Sequence, residues 1–219
     1  MTPAPHQERL PDAVLFDMDG TLVDSEHQWL RAEVAVMARY GVEWTHQDQV
    51  HCLGGPLERV GAYMARRAGV ASGCTSEGVM LELLDEVEHL MAAEPLTWRP
   101  GARALLQDAV ASKVPTALVT ASWRRLINVM HTVIAVDIGV DPFTVMIGGD
   151  EVANGKPHPE PYLAAASALG AEPDRCLAVE DSPTGVSSAA AAGCRVVAVP
   201  HVAPIADAPG VVVVDTLQG

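Results

Sequence analysis

Short apolar runs and longer amphipathic stretches alternate along most of this chain. The first run, AVLF at residues 13–16, has the length and composition of a strand buried on both faces of a sheet. Further runs predict strands at residues 115–120, 144–148, 176–180, 195–200 and 211–214. The stretches between them predict helices at residues 102–111, 123–134, 161–169 and 184–192. This alternation is typical of βαβ units, so the predicted fold class is α/β, with a Rossmann-like parallel sheet covered by helices on both faces.

Between the first strand and the rest of the chain, the pattern is helical throughout. Ser25 and Gln28 form an S-x-x-Q capping box, which predicts a helix that runs to about Tyr40. Further helices are predicted at residues 47–53, 57–68 and 76–93, with a break at Gly54-Gly55-Pro56. We therefore expect a discontinuous Rossmann-like core at residues 12–24 and 97–219, and an inserted all-helical cap domain at residues 25–96. A cap placed directly behind the first strand can cover a substrate held at the end of that strand.

Composition and charge exclude several classes of partner. Hydrophobic residues make up 49% of the 219 residues and charged residues 19%, as in an ordinary globular protein. The formal net charge of −14 at pH 7 argues against nucleic acids and anionic membranes as partners. The 4 cysteines are scattered, which favours free thiols in a reducing compartment over disulfides or a zinc site. Since the chain has neither a signal-peptide pattern nor an apolar run of membrane-spanning length, a cytoplasmic location is expected.

Two aspartates follow the first predicted strand. Asp17 and Asp19 are two residues apart, so on extended backbone their side chains share a face. Carboxylates this close repel each other unless a cation lies between them or one is protonated, and Mg²⁺ is the cation that suits oxygen ligands. Open α/β sheets bind their ligands at this end of the strands. The alternative is an Asp-rich turn whose side chains bind nearby amides.

A hydroxyl group and a helix start follow the strand at residues 115–120. Thr120 ends this strand, and Ala121 and Ser122 precede the next helix. A hydroxyl and free amides at a helix N-terminus suit an anion. The alternative is a simple N-cap for that helix.

The remaining polar signals are a lysine and a pair of acids. Lys156 lies between Gly155 and Pro157 in the loop NGKPHP, where it could supply a fixed positive charge or be an ordinary solvated side chain. Glu180 and Asp181 end the buried run CLAVE and suit a metal ligand and its supporting shell. The alternative for Asp181 is a cap of the Ala-rich helix that follows.

Four segments occur in the order of the motifs of the haloacid dehalogenase superfamily: DMDGTLVDSE, LVTAS, GKPHPEPY and VEDSPTG. The chain resembles that superfamily over residues 12–214. Within it, the chain is similar to the branch with a helical cap inserted after the first motif, which includes β-phosphoglucomutase and small sugar-phosphate phosphatases. The resemblance implies that Asp17 is a nucleophile that forms an aspartyl-phosphate, and that Asp19 is the general acid and base.

The resemblance also implies a metal site and a phosphate site. Mg²⁺ is expected to be held by four residues: Asp17, Asp19 through its backbone carbonyl, Asp181, and Glu180 either directly or through water. The phosphoryl oxygens are expected to be held by Thr120 and Lys156, with amides of Gly20, Ala121 and Ser122. A metal ion, a lysine and amides would make a local positive site on an acidic protein.

Single residues rank the activities of this superfamily. Hydrolytic dehalogenases and phosphonate hydrolases lack the second aspartate, so Asp19 argues against both. The mutase branch carries a histidine and an arginine in the cap where this chain has Trp29 and Leu57. The run DSEHQWLRAE is closer to hexose- and polyol-phosphate phosphatases. The expected activity is therefore hydrolysis of a small phosphomonoester, a sugar or polyol phosphate, and the alternative is a phosphomutase of the β-phosphoglucomutase type.

Residues that select the substrate should lie on the face of the cap that closes over Asp17. Trp29 is the first candidate, because an indole can stack on a sugar face, although core packing between cap helices would explain it equally well. His27 and Arg59 are the other candidates. The expected partner is a small phosphorylated metabolite, and the expected assembly is a monomer or weak dimer.

Overall fold

A computed structural model of the protein describes residues 10–52, 57–69 and 73–218. Within these residues one sheet is present, and all of its strand pairs are parallel. Its strands are β1 (Ala13–Phe16), β2 (Thr116–Val119), β3 (Val145–Ile147), β4 (Cys176–Glu180), β5 (Arg195–Ala198) and β6 (Val211–Val213). Their spatial order is β3-β2-β1-β4-β5-β6, which places β1 between β2 and β4 at the centre.

The helices fall into two groups along the chain. Four follow β1 along the chain with no strand between them: α1 (Glu26–Arg39), α2 (His46–Cys52), α3 (Leu57–Ala68) and α4 (Ser76–Ala93). Four others alternate with the strands: α5 (Ala102–Ala111), α6 (Arg124–Ile138), α7 (Glu160–Leu169) and α8 (Pro183–Ala191). Short 3₁₀ turns cover Gly149–Glu151 and Pro173–Arg175. None of the helices described here combines the length and the apolar composition that crossing a membrane requires.

The central strand explains why helices cover both faces of the sheet. All four residues of β1 are buried, and successive side chains point to opposite faces. Val14 and Phe16 join one hydrophobic cluster with residues of α1, α4, α5 and α6. Ala13 and Leu15 join the other cluster, with residues of α7 and α8. The predicted fold class, an α/β protein with a parallel sheet, is confirmed.

The helices α1 to α4 pack against one another and contact the rest of the protein through α6. Both α1 and α3 pack on α4, and α4 also packs on α6. Two segments connect this group to the sheet and run side by side: the Asp24 amide donates to the Thr97 carbonyl at 2.8 Å, and the Arg99 amide donates to the Leu22 carbonyl at 2.9 Å. Since hydrophobic residues of α1 to α4 share a cluster with the face of β1, the apolar packing is continuous across this connection.

Several predicted elements differ from the structure. The capping box is wrong: Ser25 precedes α1, but its hydroxyl donates to Asp19 at 2.5 Å instead of capping the helix, and the Gln28 Oε1 atom is buried with no partner among the described residues. The helix α6 continues to Ile138, four residues further than predicted, and ends at Gly139 in the left-handed conformation (φ 87°). The predicted break at residues 54–56 lies outside the described residues.

Candidate active site

The candidate site lies where the carboxyl ends of β1, β2 and β4 meet. Asp17 follows β1, Thr120 follows β2 and Glu180 ends β4, while Lys156 enters from the loop after β3. Asp17, Thr120 and Lys156 border a cavity of about 680 Å³, which is lined by the strand ends on one side and by residues of α1, α2 and α3 on the other. Glu180 is buried behind them. Parallel strands bring their carboxyl ends to one edge, which is why residues from distant motifs converge here.

Lys156 joins three of these elements. Its Nζ atom donates to Asp17 Oδ1 at 2.7 Å, to Glu180 Oε1 at 2.5 Å and to the Val119 carbonyl at 2.9 Å. Burial opposes the charge on this side chain, but the carboxylates of Asp17 and Glu180 outweigh that effect and raise the pKa of Lys156. The ammonium group is therefore a permanent positive charge in the site, as the sequence predicted, and not a solvated surface group.

Glu180 is fully buried and receives several hydrogen bonds from protein groups. In addition to Lys156, the Tyr162 hydroxyl donates to Oε1 at 2.6 Å and the Ser182 hydroxyl donates to Oε2 at 3.4 Å. Burial, and then the charge of Asp17, raise the pKa of Glu180 to about 7. Gly185 packs against this carboxylate so closely that a Cβ atom at that position would lie 2.0 Å from it. These contacts hold Glu180 in place behind Lys156.

Asp181 completes a group of three carboxylates. One oxygen each from Asp17, Glu180 and Asp181 lie within 4.8 Å of one another, and the Thr21 hydroxyl donates to Asp181 at 3.2 Å. Burial, and then the charge of Asp17, raise the pKa of Asp181 to about 8. Gly20 (φ +84°) lies beside this carboxylate, and a Cβ atom there would lie 2.2 Å from Asp181 Oδ2.

A divalent cation fits this group of carboxylates. Three buried carboxylates face one ammonium group, so the cluster carries an excess of negative charge, and all of its free donor atoms are hard oxygens of the kind that Mg²⁺ prefers. Because the oxygens of Glu180 already accept hydrogen bonds from Lys156, Tyr162 and Ser182, Asp17 and Asp181 are better placed as direct ligands.

Asp19 is held on the cavity side by three hydroxyl groups. The Ser25 hydroxyl donates to Oδ1 at 2.5 Å, and the hydroxyls of Ser122 and Thr120 donate to Oδ2 at 2.8 and 3.4 Å. Burial raises the pKa of Asp19, and the charge of Asp17 adds to that rise. A raised pKa is the direction that a general acid needs.

The predicted phosphate-binding residues line the cavity, but two of their amides differ from the prediction. The Gly20 amide donates to the Val23 carbonyl at 2.8 Å, because Gly20 closes a tight turn. The Ser122 amide donates to the Thr120 hydroxyl at 3.0 Å, in the local turn that such hydroxyls favour. Ala121 also borders the cavity.

Of the three cap residues predicted to select the substrate, one lines the cavity and two are not among its lining residues. Trp29 lines the cavity and lies close enough to Asp19 to hydrogen bond with it. His27 is half exposed, and its Nε2 atom lies 3.3 Å from the Glu94 carboxylate. Arg59 is exposed, and neither it nor His27 is among the residues that line the cavity. A role of these two residues in selecting the substrate therefore stays a prediction from the sequence.

Several residues at the site were not predicted. Tyr162 lies within the motif GKPHPEPY, but nothing in the sequence indicated that its hydroxyl would reach Glu180. Glu26 and Glu33 line the cavity from α1, on the same helix face as Trp29, a spacing that the sequence does contain. His201 also borders the cavity, and burial lowers its pKa.

Comparison with known proteins places these observations in context. A model of the haloacid dehalogenase-like hydrolase family matches residues 14–199. Hexitol phosphatase A of Escherichia coli (strain K12) is 35% identical over 192 residues, which cover 84% of this chain and 81% of that protein. The phosphorylated carbohydrates phosphatase of Thermotoga maritima is 31% identical over 201 residues, which cover 87% of this chain and 86% of that protein. A crystal structure of a CbbY variant from Rhodobacter sphaeroides, in complex with xylulose-(1,5)bisphosphate, has a TM-score of 0.80 and 27% identity, and the match covers 95% of both chains.

Proposed function

Because this chain belongs to the haloacid dehalogenase-like hydrolase family, we propose that it is a phosphatase that hydrolyses a small phosphomonoester, a sugar or polyol phosphate, through an aspartyl-phosphate on Asp17. Support for the phosphatase assignment comes from the relatives that are named phosphatases of hexitols and of phosphorylated carbohydrates. The position of Asp19 two residues after Asp17 supports this over the dehalogenase chemistry of other members.

The observation that carries the proposal is the contact between Lys156 and Asp17. The ammonium group binds Oδ1 of Asp17 at 2.7 Å and is fixed from behind by Glu180. It therefore orients the Asp17 carboxylate and supplies positive charge where phosphoryl oxygens would arrive. Among the described residues, Asp17 Oδ2 has no donor, so this oxygen is the one we assign to attack phosphorus.

In the first half-reaction, an oxygen of Asp17 forms a bond to phosphorus while the bond between phosphorus and the substrate alkoxide oxygen breaks. The carboxyl group of Asp19 gives its proton to that alkoxide. In the second half-reaction, the Asp19 carboxylate takes a proton from water, and the water oxygen attacks phosphorus. The bond between the Asp17 oxygen and phosphorus breaks as the new bond forms, so inorganic phosphate leaves and Asp17 is regenerated as a carboxylate. Asp19 is again protonated.

We propose that Mg²⁺ is held by Asp17, Asp181 and the backbone carbonyl of Asp19, with Glu180 in support, and when bound it offsets negative charge on the phosphoryl oxygens. Residues 25–96 act as a cap over the Rossmann-like core of residues 12–24 and 97–219, and they separate the bound substrate from bulk solvent while leaving room for the attacking water. The cytoplasmic location and the monomeric or weakly dimeric state stay predictions from the sequence.

The first prediction concerns the two aspartates. With Mg²⁺ and a panel of hexose, pentose, polyol and nucleotide monophosphates, we expect release of inorganic phosphate from at least one sugar or polyol phosphate. Asp17→Asn should lower kcat by about 10³-fold or more, since it removes the nucleophile. Asp19→Asn should lower it by about 10²–10⁴-fold, the usual contribution of a general acid or base.

The matched control is Asp108→Asn, which makes the same change at an exposed position on α5. It should leave kcat within about twofold of the parent protein, as surface changes away from a site usually do. Normal turnover by Asp17→Asn would overturn the nucleophile assignment. Conversion of a hexose 1-phosphate to its 6-phosphate, only with a bisphosphate primer and without net phosphate release, would instead identify the phosphomutase alternative.

A further inference from the structure

Acids line the cap side of the cavity, and none of its described residues is a lysine or an arginine. The side formed by the strand ends, called here the phosphate side, also carries acids but contains Lys156. Glu26 and Glu33 of α1 and Glu58 of α3 line the cap side, together with the neutral side chains of Trp29 and Gln49. Of the lining residues that the structure describes, Lys156 is the one with a permanent positive charge, and it belongs to the phosphate side. The described lining therefore offers a fixed cation at the phosphate side of the cavity and none at the cap side.

Helix geometry places these acids at different depths. Residues 26, 29 and 33 are spaced by three and four, so their side chains lie on one face of α1, which faces the cavity. Burial raises the pKa of Glu26, and the charge of Asp19, which lies nearby, adds to that rise. Glu33 lies seven residues further along, about 10 Å along the helix axis. Glu33 is thus the acid at the end of this face away from the reacting atoms.

Glu33 has one carboxylate oxygen that is held and one that is available. The side chain is buried, with 6% of its surface exposed, and the Trp44 Nε1 atom donates to Oε2 at 2.8 Å. Among the described residues, no group donates to Oε1. A carboxylate oxygen in this position can accept a hydrogen bond from a substrate hydroxyl, and the indole of Trp29 on the same face offers a flat apolar surface for a carbon chain or sugar ring.

A second anionic group on the substrate would meet unfavourable surroundings at this end. The cap cations considered from the sequence, His27 and Arg59, are not among the residues that line the cavity. A phosphate or carboxylate beside Glu33 and Glu58 would lose its water and gain no counter-charge from the described lining, and like charges placed together disfavour binding strongly.

We propose that Glu33 is a specificity-determining residue, which accepts hydrogen bonds from the uncharged, hydroxyl-rich end of a sugar or polyol phosphate and rejects substrates with a second anionic group at that end. This inference rests on the proposed phosphatase function and names its substrate class: monophosphates of neutral polyols or sugars, and neither bisphosphates nor phosphorylated sugar acids.

The test compares two substrates that differ at the far end alone. Sorbitol 6-phosphate ends in a hydroxymethyl group, and 6-phosphogluconate ends in a carboxylate at the same carbon. At pH 8, above the pKa of about 7 of Glu33, we expect the parent protein with Mg²⁺ to have a kcat/KM at least about tenfold higher for sorbitol 6-phosphate. Glu33→Gln keeps an oxygen for the Trp44 indole but removes the charge, and it should reduce this preference by at least about fivefold.

The matched control is Glu77→Gln, which removes the same charge from an exposed position on α4 that does not line the cavity. It should leave the preference unchanged. Equal or reversed preference in the parent protein, or an unchanged preference in Glu33→Gln, would overturn the role of Glu33 while phosphate release still supports the phosphatase. A strong preference for glucosamine 6-phosphate over glucose 6-phosphate would also overturn it, because the acidic wall would then select a cation. No phosphate release from any of these compounds or from the wider panel would overturn the proposed function itself, and this inference with it.

Discussion

Lys156 is the residue on which the geometry of the site depends most. All three hydrogens of its ammonium group are directed to protein acceptors, two of them buried carboxylates. Removing one partner of a buried ion pair leaves an uncompensated charge, which destabilises far more than the loss of a surface pair. Lys156 is therefore expected to affect folding as well as catalysis.

The prediction at this position is a large loss of stability that a second substitution relieves in part. Lys156→Met leaves Asp17 and Glu180 buried without their shared cation, and it should lower the free energy of unfolding by about 3–5 kcal/mol. Adding Glu180→Gln to it removes one of the two charges and should restore part of that loss without restoring phosphatase activity. Urea unfolding of the metal-free proteins at pH 7 measures both effects.

The control is Lys113→Met, which changes an exposed lysine and keeps a side chain at a left-handed position (φ 57°). It should change the free energy of unfolding by about 0.5 kcal/mol or less. If Lys156→Met were as stable as Lys113→Met, Lys156 would not be the buried counter-charge of the site.

The residues of the core of the site could be predicted because each follows a strand or a distinctive loop. Asp17, Lys156, Glu180 and Asp181 converge as the sequence indicated. The contact from Tyr162 could not be predicted, since it depends on how α7 packs against the sheet. The Gly20 amide differs from the prediction for a similar reason: a backbone turn that the sequence does not specify gives it the Val23 carbonyl.

Among the secondary-structure elements, agreement is best where several local signals coincide. The bounds of α3, α4, α5 and β4 match the prediction, and Thr75 caps α4 through a side-chain hydrogen bond to the Gly78 amide. The start of α1 shows the limit of local signals. Its S-x-x-Q pattern is typical of a capping box, yet Ser25 binds Asp19, a residue of the site, because tertiary structure offers that hydroxyl a carboxylate acceptor.

The helix α1 also carries a buried acid whose titration should be visible in stability. Burial raises the pKa of Glu33 from 4.5 to about 7, and the charges of Glu26 on α1 and Asp48 on α2 add to the rise. Since the folded state holds this proton more tightly than the unfolded chain, the stability it contributes is fully present below pH 4.5 and is lost as pH rises through 7.

Glu33→Gln should therefore gain stability relative to the parent protein as pH rises. The difference should be near zero at pH 4.5 and should reach at most about 3 kcal/mol in favour of Glu33→Gln at pH 8, by the usual conversion of a pKa shift to free energy. Urea unfolding at both pH values measures it, with Glu77→Gln as the control that should show no such trend. A difference that does not change with pH would contradict the raised pKa of the buried Glu33.

For the whole molecule, the sequence predicted the fold class, the family and the enzyme class, a phosphoric monoester hydrolase, and these are confirmed. The order of the strands could not be derived from the chain, because apolar runs of similar length do not specify their neighbours. Nor did the sequence indicate that α1 to α4 share one hydrophobic cluster with the sheet. The overall charge of −14 also gives no hint of where the fixed cation of the cavity lies: among the described lining residues, Lys156 is at the phosphate side, and Glu33 is at the cap side.

Binding of Mg²⁺ should change the stability of the whole molecule, because an ion that binds the folded state and not the unfolded chain raises the free energy of unfolding. At a hundredfold excess of Mg²⁺ over its dissociation constant, the gain is about 2.7 kcal/mol, which for a chain of this size corresponds to a rise in Tm of roughly 5–10 °C. Asp181→Asn removes one of three buried carboxylates, so without metal it should be at least as stable as the parent protein. It should nevertheless lose most of the rise in Tm.

Thermal unfolding with EDTA and with increasing Mg²⁺ separates these two effects, and Asp108→Asn should respond to the metal as the parent protein does. Asp181→Asn is expected to keep or raise the Tm in EDTA but to lose most of the rise in Tm with Mg²⁺. A substitution that merely damaged the fold would lower the Tm in EDTA as well. If Asp181→Asn kept the full response to Mg²⁺, the cation would have to bind elsewhere, and the three carboxylates would need another explanation for lying within 4.8 Å of one another.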